Sequence, residues 1–129
     1  MKIKVTHDID DLANDCAAIT RQAPRDLKAS VRDGIRIGAV VARDNARRTA
    51  GAHGKHYPAS ITMEMHGASL FGGTYSGEYG PNPGKKQGGM SFEWGSRNQK
   101  PHLDLNRSAD LIAPAFAADV RAKAAGWFW

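Results

Sequence analysis

A long amphipathic pattern between about residue 24 and about residue 50 constrains the fold of this chain more than any other feature. Placed at about 100° per residue, small and apolar residues fall on one side of a helix and basic residues fall on the opposite side. The apolar side is formed by Leu27, Val31, Ile35, Gly38, Ala42 and Asn45. The basic side is formed by Arg25, Lys28, Arg32, Arg36, Arg43 and Arg47. The pattern predicts a long helix that Pro24 opens, because proline is tolerated at the first helical position.

Two further features of this predicted helix indicate close packing partners. Gly34 and Gly38 lie on its apolar side, although a glycine costs about 1 kcal/mol in a helix interior. We therefore expect another backbone to approach closely at these positions. Ile37 and Val40 lie off the main apolar side, which indicates a second packing surface of the kind that a neighbouring subunit covers.

The chain before residue 24 predicts a shorter helix. Residues 1–5 are short and mixed, which is typical of a brief strand or an arm. Asp8 is suited to cap a helix in which apolar residues then recur at helical spacing. These residues are Ile9, Leu12, Cys16 and Ile19. Because Cys16 lies on the apolar side, we expect its thiol to be buried.

The middle of the chain predicts strands and loops. Residues 60–66 alternate apolar and polar side chains and predict a strand, and residues 70–79 predict one or two short strands interrupted by glycine. Residues 76–89, rich in glycine, proline and lysine, predict a long mobile loop. Residues 90–94 predict a second clear strand, with Met90, Phe92 and Trp94 on one face and Glu93 on the other.

The C-terminal part of the chain predicts a helix over residues 106–125, with an apolar stripe of Ile112, Phe116 and Val120. Pro114 either kinks this helix or lies in the first turn of a helix that starts near residue 110. With 129 residues, the chain is expected to form one domain over residues 1–129. The predicted fold class is α+β, in which long N-terminal helices and a C-terminal helix pack on a small antiparallel β-sheet.

Three aromatic residues end the chain, and they predict a contact surface. They are Trp127, Phe128 and Trp129. Chain ends are usually polar, whereas tryptophan is enriched where proteins bind one another. The pattern favours a subunit contact over burial within the chain's own fold.

Charge and cysteine content limit the classes of partner and compartment. The net charge of +5 permits contact with DNA or with an acidic partner. The single cysteine excludes an internal disulfide and a cysteine-based zinc site. We find no run resembling a signal peptide or a membrane span. These features predict an intracellular protein or a component of a particle assembled inside a cell.

Catalytic and metal-binding patterns are not evident in the sequence. His53 and His56 are three residues apart in a glycine-rich turn, which lacks the spacing of a helical zinc motif. Glu64, Glu78 and Glu93 occur singly in separate segments, so no paired carboxylates are indicated. We interpret Glu93 as an exposed or interfacial ion-pair partner. The prediction is a protein without catalytic residues, metal or cofactor.

Two blocks, taken in their order, resemble a known family. Residues 51–61 read GAHGKHYPASI and follow the long Ala/Arg-rich helix; later, GP at residues 80–81 precedes FEWGS at 92–96 and QKPHL at 99–103. Together they resemble the tail-completion and neck proteins of long-tailed bacteriophages, typified by the lambdoid tail-completion proteins. In that family a similar helix reaches an "ANAPVDTGALRASI"-like turn and then a "GP … YVEFGTSKMPAQPFLRPA" run before a C-terminal helix. The histidine-rich turn departs from the family's usual proline and aspartate.

The resemblance implies a virion protein of the head–tail junction, assembled in the host cytoplasm. Copies would form a homo-oligomeric ring, six- or twelve-fold, that joins the connector to the tail and seals or guides DNA beside other neck, connector or tail proteins. The family supplies no catalytic residues. The residues we then expect at subunit interfaces are Tyr79, Phe92, Trp94, Trp127, Phe128 and Trp129.

The basic residues leave two interpretations open. In a ring subunit, the basic side of the long helix, together with Lys85 and Lys86, would meet neighbouring subunits or DNA. Alternatively, the chain is a small non-specific DNA-binding protein that uses the same basic side on phosphates. The sequence carries no helix–turn–helix or RNA-binding signature that would add base-specific reading.

Overall fold

The computed structural model describes residues 8–66 and 75–128, with side chains from residue 11 to residue 66 and from 75 to 127. Four helical segments and two strands form an α+β fold, which confirms the predicted fold class. In chain order these elements are α1 (Asp8–Thr49), α2 (Tyr57–Ser60), β1 (Ile61–His66), β2 (Ser76–Pro81), α3 (Ser91–Trp94) and α4 (Asp104–Phe128). The expected strand or arm at residues 1–5 lies outside the described residues.

The two predicted N-terminal helices are one continuous helix, α1, with Pro24 in its interior. Proline removes one backbone hydrogen bond, so an internal proline needs support from its surroundings. That support includes Asp26, whose carboxylate accepts a 2.9 Å hydrogen bond from Gln22 across the proline and a 2.7 Å bond from the Trp127 indole. The prediction that Pro24 starts a separate helix is therefore wrong.

The prediction that Cys16 is buried is also wrong, because its side chain is exposed. Among the described residues, helix α4 runs beside α1 as far as its last turn, where the Trp127 side chain lies near Ile19 and Asp26. Beyond that point towards the N-terminus, every side chain of α1 from residue 11 to residue 18 is exposed. Helical spacing puts Cys16 on the apolar side of α1, but among the described residues no helix covers this part of that side.

Strands β1 and β2 pair antiparallel, from Ile61 opposite Pro81 to His66 opposite Ser76. The strand predicted at residues 60–66 is confirmed apart from Ser60, which ends α2. Of the strands predicted between residues 70 and 79, the described part contains the start of β2, while residues 70–74 lie outside the described residues. The loop predicted from residue 76 actually begins after Pro81, because residues 76–81 are strand β2.

Hydrogen-bonded turns follow β2 in the segment where the sequence predicted a long mobile loop. The Asn82 backbone N–H donates to the Ser60 carbonyl oxygen at 2.8 Å, and the Asn82 side chain accepts from Gly84. The Gln87 side chain donates to the His53 carbonyl oxygen and accepts a 2.8 Å bond from the His56 N–H. These bonds attach the lysine-containing loop to the histidine-rich turn.

The segment predicted as a second strand, residues 90–94, is instead the helical turn α3. The Trp94 N–H donates to the Met90 carbonyl oxygen at 3.0 Å, which closes the turn. Phe92 and Glu93 are consecutive and both buried, a pattern that a half-exposed strand cannot produce. The interpretation of Glu93 as an exposed or interfacial ion-pair residue is wrong for the same reason.

The hydrophobic core joins the C-terminal half of α1 to α2, β1 and α3. Ala42 and Ala46 of α1 offer little volume, and the space they leave is filled by Tyr57 and Phe92. These two rings stack with centroids 4.5 Å apart. Ile61, at the start of β1, completes the buried cluster.

Helix α4 confirms the predicted C-terminal helix and packs along α1, with Pro114 in its interior. A Cβ atom added at Gly38 would lie 2.5 Å from the Tyr79 ring, and one added at Gly34 would lie 3.0 Å from the Phe116 ring. The two glycines therefore make room for aromatic side chains, whereas the sequence had predicted the approach of another backbone.

Candidate functional site

The aromatic residues expected at subunit interfaces occupy different environments. Phe92 belongs to the core, and Tyr79 is half-buried, with its hydroxyl 2.8 Å from the Ser108 hydroxyl. Trp127 is half-buried and donates its indole N–H to Asp26. Trp94, on α3, is 59 % exposed. The Phe128 side chain and Trp129 lie outside the described residues.

The basic side of α1, called here the basic stripe, is largely open to solvent. Its exposed members are Arg25, Lys28, Arg32, Arg36 and Arg47. Aspartates on the same helix lie beside three of them: Asp33 is 3.8 Å from Arg32 and 3.7 Å from Arg36, and Asp44 is 2.7 Å from Arg47. Exposed pairs of this kind contribute little stability, so a phosphate or a partner carboxylate can replace them.

Arg43 differs from the rest of the basic stripe. Its side chain is half-buried, and its Nε donates a 2.8 Å hydrogen bond to the carbonyl oxygen of Ile61 at the start of β1. This arginine therefore holds the sheet against α1. Lys85 and Lys86, by contrast, are exposed in the turns that follow β2.

A groove between α1 and α4 is one of the apolar surfaces that the structure reveals. It has a volume of about 500 Å³ and is called here the α1–α4 groove. The apolar residues that line it are Gly34, Ile37, Val41, Leu111, Ile112, Ala115 and Phe116, and its polar lining is Ser30, Asp33 and Asp119. Ile37 is 50 % exposed and Leu111 is 65 % exposed, so the groove offers large side chains to a partner.

Polar contacts hold one end of the groove in place. Ser30 donates a 2.6 Å hydrogen bond to Asp119 and accepts a 2.7 Å bond from Lys123, whose ammonium also lies 3.2 Å from Asp119. These hydrogen bonds lower the pKa of Asp119 below its usual value. The network ties α4 to α1, so the groove is built from two helices in a fixed relation.

A buried polar cluster lies where α3 meets the start of α4. Both Glu93 carboxylate oxygens accept 2.9 Å hydrogen bonds, one from the Leu105 N–H and one from the Asn106 N–H. Thr49 donates to the carboxylate of buried Asp104 at 2.9 Å. The Glu93 carboxylate thus caps α4 from a distant turn and supplies acceptors for N–H groups of its first turn that have no partner within the helix.

Burial shifts the pKa values of two groups in this cluster. It raises the pKa of Tyr57 to about 12, with further contributions from the nearby Glu93 and Asp104 carboxylates. It also raises the pKa of Asp104, against the hydrogen bond from Thr49. The Nδ1 atom of His102 also belongs to the cluster and lies 3.9 Å from an Asp104 carboxylate oxygen. The cluster joins α1, α2, α3 and α4, and both Glu93 oxygens are used in the helix cap.

The chain exposes more surface than a compact monomer would. Its accessible area is 9324 Å², about 40 % above the roughly 6,700 Å² typical of a monomer of this mass. Part of the excess comes from the projecting start of α1, where Leu12 is 63 % exposed. Within residues 8–66 and 75–128, no helix is both long and apolar enough to cross a membrane, and no three His, Cys, Asp or Glu residues form a group suited to a metal ion.

Sequence reasoning found part of this surface and missed the rest. Ile37 and Val40 were predicted to lie off the core-facing side of the helix, and both are about half-exposed. Leu111 was missed. The position of Leu111 next to Ile112 could have revealed it. Two adjacent residues cannot face the same side of a helix, so one of these two apolar side chains must lie on a second surface.

Comparison of the chain with protein-family models, with curated proteins and with solved structures finds no match in any of the three.

Proposed function

We propose that this chain is a structural subunit of the head–tail junction of a long-tailed bacteriophage. Copies form a ring that joins the connector to the tail and helps to seal or guide DNA. The observation that carries the proposal is the large exposed surface, 9324 Å², together with an apolar groove open to solvent. The assignment to the head–tail junction rests on the order of the two sequence blocks that resemble neck proteins.

The exposed apolar side chains support self-assembly. A stable interface removes about 800 Å² of surface from each partner. A ring subunit has two such interfaces, and the surplus over a compact monomer, on the order of 2,600 Å², accommodates both.

The exposed basic stripe supports a position beside DNA. Five of its six basic residues are accessible, and among the described residues three of them lie beside half-exposed aspartates of the same helix. A ring lined by such residues would attract the phosphate backbone without reading bases. The same stripe also supports the alternative, a small non-specific DNA-binding protein, so the experiments must separate assembly from DNA affinity.

The test of assembly combines mass measurement with particle joining. We expect light scattering or electron microscopy to show rings, formed either alone or on purified heads or tails. Leu111→Glu places a charge in the groove and should abolish assembly. Ala117→Glu is the matched control, because residue 117 is exposed on the opposite side of α4. A chain that stays monomeric and joins neither heads nor tails would defeat the proposal.

The test of the alternative measures binding to a short DNA duplex at rising salt. The double substitution Arg32→Glu with Arg36→Glu reverses two exposed charges and should remove any affinity, whereas Arg43 is left intact because it holds β1. If the wild-type chain binds duplex strongly at low salt but never joins a particle, the DNA-binding alternative is correct.

A further inference from the structure

The first turns of α1 whose side chains are described, residues 11–18, project from the body of the protein and are called here the N-terminal arm. All their side chains are exposed. Leu12, Cys16 and Ile19 are spaced four and three residues apart, so they lie on one side of the helix. At about 100° per residue this is the side that carries Ile37 and Val41 further along α1. The arm therefore presents Leu12 and Cys16 as an exposed apolar stripe, beyond the point where Trp127 of its own α4 lies near Ile19.

The arm cannot fill the groove of its own chain. Both belong to the single helix α1, and the groove begins at Ser30, about 18 Å along the axis from the end of the arm at about 1.5 Å per residue. A continuous helix does not fold back on itself. An arm and a groove that fit each other must therefore belong to different copies.

Charge also favours a second copy as the occupant of the groove. Residues 8–18 contain four aspartates and no lysine or arginine. The net charge of the whole chain is +5, so the residues outside this segment carry +9. The acidic residues that line the groove, Asp33 and Asp119, each lie beside a basic residue of their own chain. An acidic arm is therefore attracted at long range to the basic remainder of a second copy, and the apolar side chains set its position in the groove.

We propose that the N-terminal arm of one copy packs into the α1–α4 groove of the next copy, with Leu12 and Cys16 on the groove residues Ile37 and Leu111. This inference rests on the proposed function, because it assigns the contact that builds the ring. Arm and groove are different surfaces, so the contact is head-to-tail, and head-to-tail contacts close into rings when the rotation between copies allows. The mode is a helix lying in an apolar groove.

The native Cys16 provides the test. In a Leu111→Cys chain, each copy carries one thiol on the arm and one in the groove, and a disulfide forms only when the two Cα atoms come within about 7 Å. Mild oxidation should link the copies into a ladder of multimers on a non-reducing gel, with the Cys16-to-111 bond identified by peptide mass spectrometry. Ala115→Cys gives a second attachment point one turn along the groove.

Two control chains define what counts as support. Ala117→Cys places the thiol on the opposite side of α4 and should give no ladder. Cys16→Ser combined with Leu111→Cys should give at most dimers. A second, independent variant, Leu12→Glu, should weaken self-association by roughly tenfold or more, because a buried leucine is replaced by a charge.

The outcomes separate this inference from the proposed function. Rings that form normally but give no link to Cys16 from either groove position would overturn the arm contact and leave the ring proposal standing. Wild-type dimers linked through Cys16 alone would show that arms pair with arms, which also overturns it. A chain that neither self-associates nor joins heads or tails removes the proposed function, and this inference with it.

Discussion

Glu93 tests whether a distant carboxylate caps α4 as the structure indicates. Its two oxygens accept hydrogen bonds of 2.9 Å from the N–H groups of Leu105 and Asn106, and its side chain is 1 % exposed. Glu93→Gln keeps the shape of the side chain but turns one acceptor into a donor that faces an N–H. Glu93→Ala removes both acceptors and leaves a small cavity.

The expected losses follow from these contacts. A buried N–H without an acceptor costs about 1–3 kcal/mol, so we expect Glu93→Gln to lower the free energy of unfolding by about that amount. Glu93→Ala loses both bonds and the packing of the side chain, which gives about 2–5 kcal/mol. A domain of this size has a free energy of unfolding of about 5–15 kcal/mol, so either loss is measurable.

Urea unfolding followed by circular dichroism measures the effect. With a denaturant slope of about 1–3 kcal/mol per molar urea, the Glu93→Gln midpoint should fall by about 1 M. Amide exchange should accelerate locally at Leu105 and Asn106. Glu78→Gln is the matched control, because the Glu78 side chain is 70 % exposed and should change stability by less than about 0.5 kcal/mol. If the two glutamine variants unfold at the same urea concentration and exchange alike, the cap does not exist.

Three further predictions concern other contacts. Gly38→Ala should lower the free energy of unfolding by about 1–3 kcal/mol, because the new methyl group would lie 2.5 Å from the half-buried Tyr79 ring. Gly34→Ala should raise the free energy of unfolding by up to about 1 kcal/mol, because alanine favours the helix and the Phe116 ring that it meets at 3.0 Å is exposed. Urea titrations compare the two variants. Tyr57 has a pKa of about 12 in the folded chain and about 10 when unfolded, so the folded state holds its proton longer and stability falls as pH rises from about 10 to about 12. Tyr57→Phe should remove that part of the decline, measured by urea midpoints across this pH range. Trp127→Phe removes the hydrogen bond to Asp26 and should speed amide exchange in the last turns of α4, with a global loss of about 0.5–1.5 kcal/mol.

Helical periodicity predicted α1 but could not determine where it begins. Apolar spacing continues on both sides of Pro24, and the same proline is compatible with the start of a helix or with its interior. The deciding contacts involve Asp26, which binds Gln22 nearby and Trp127, 101 positions away in the chain. A contact between residues so far apart has no signature in local spacing.

The segment at residues 90–94 was mispredicted for a related reason. Five residues are too few to separate strand alternation from one helical turn. Glu93 decides the outcome, because its carboxylate satisfies the first N–H groups of α4, twelve and thirteen residues later. The sequence does contain the signal in part, since a helix without a nearby capping side chain must find its acceptor elsewhere.

The aromatic residues explain why the predicted interface and the exposed apolar surface differ. The core-facing side of α1 carries Ala42 and Ala46, and such small residues leave space that only large side chains fill. Tyr57 and Phe92 occupy that space as a stacked pair. These two rings therefore serve the fold, whereas the contact that we propose between copies would use exposed aliphatic residues. Leu111 belongs to this group, since it is 65 % exposed, whereas Ile61 is the aliphatic residue that completes the core cluster.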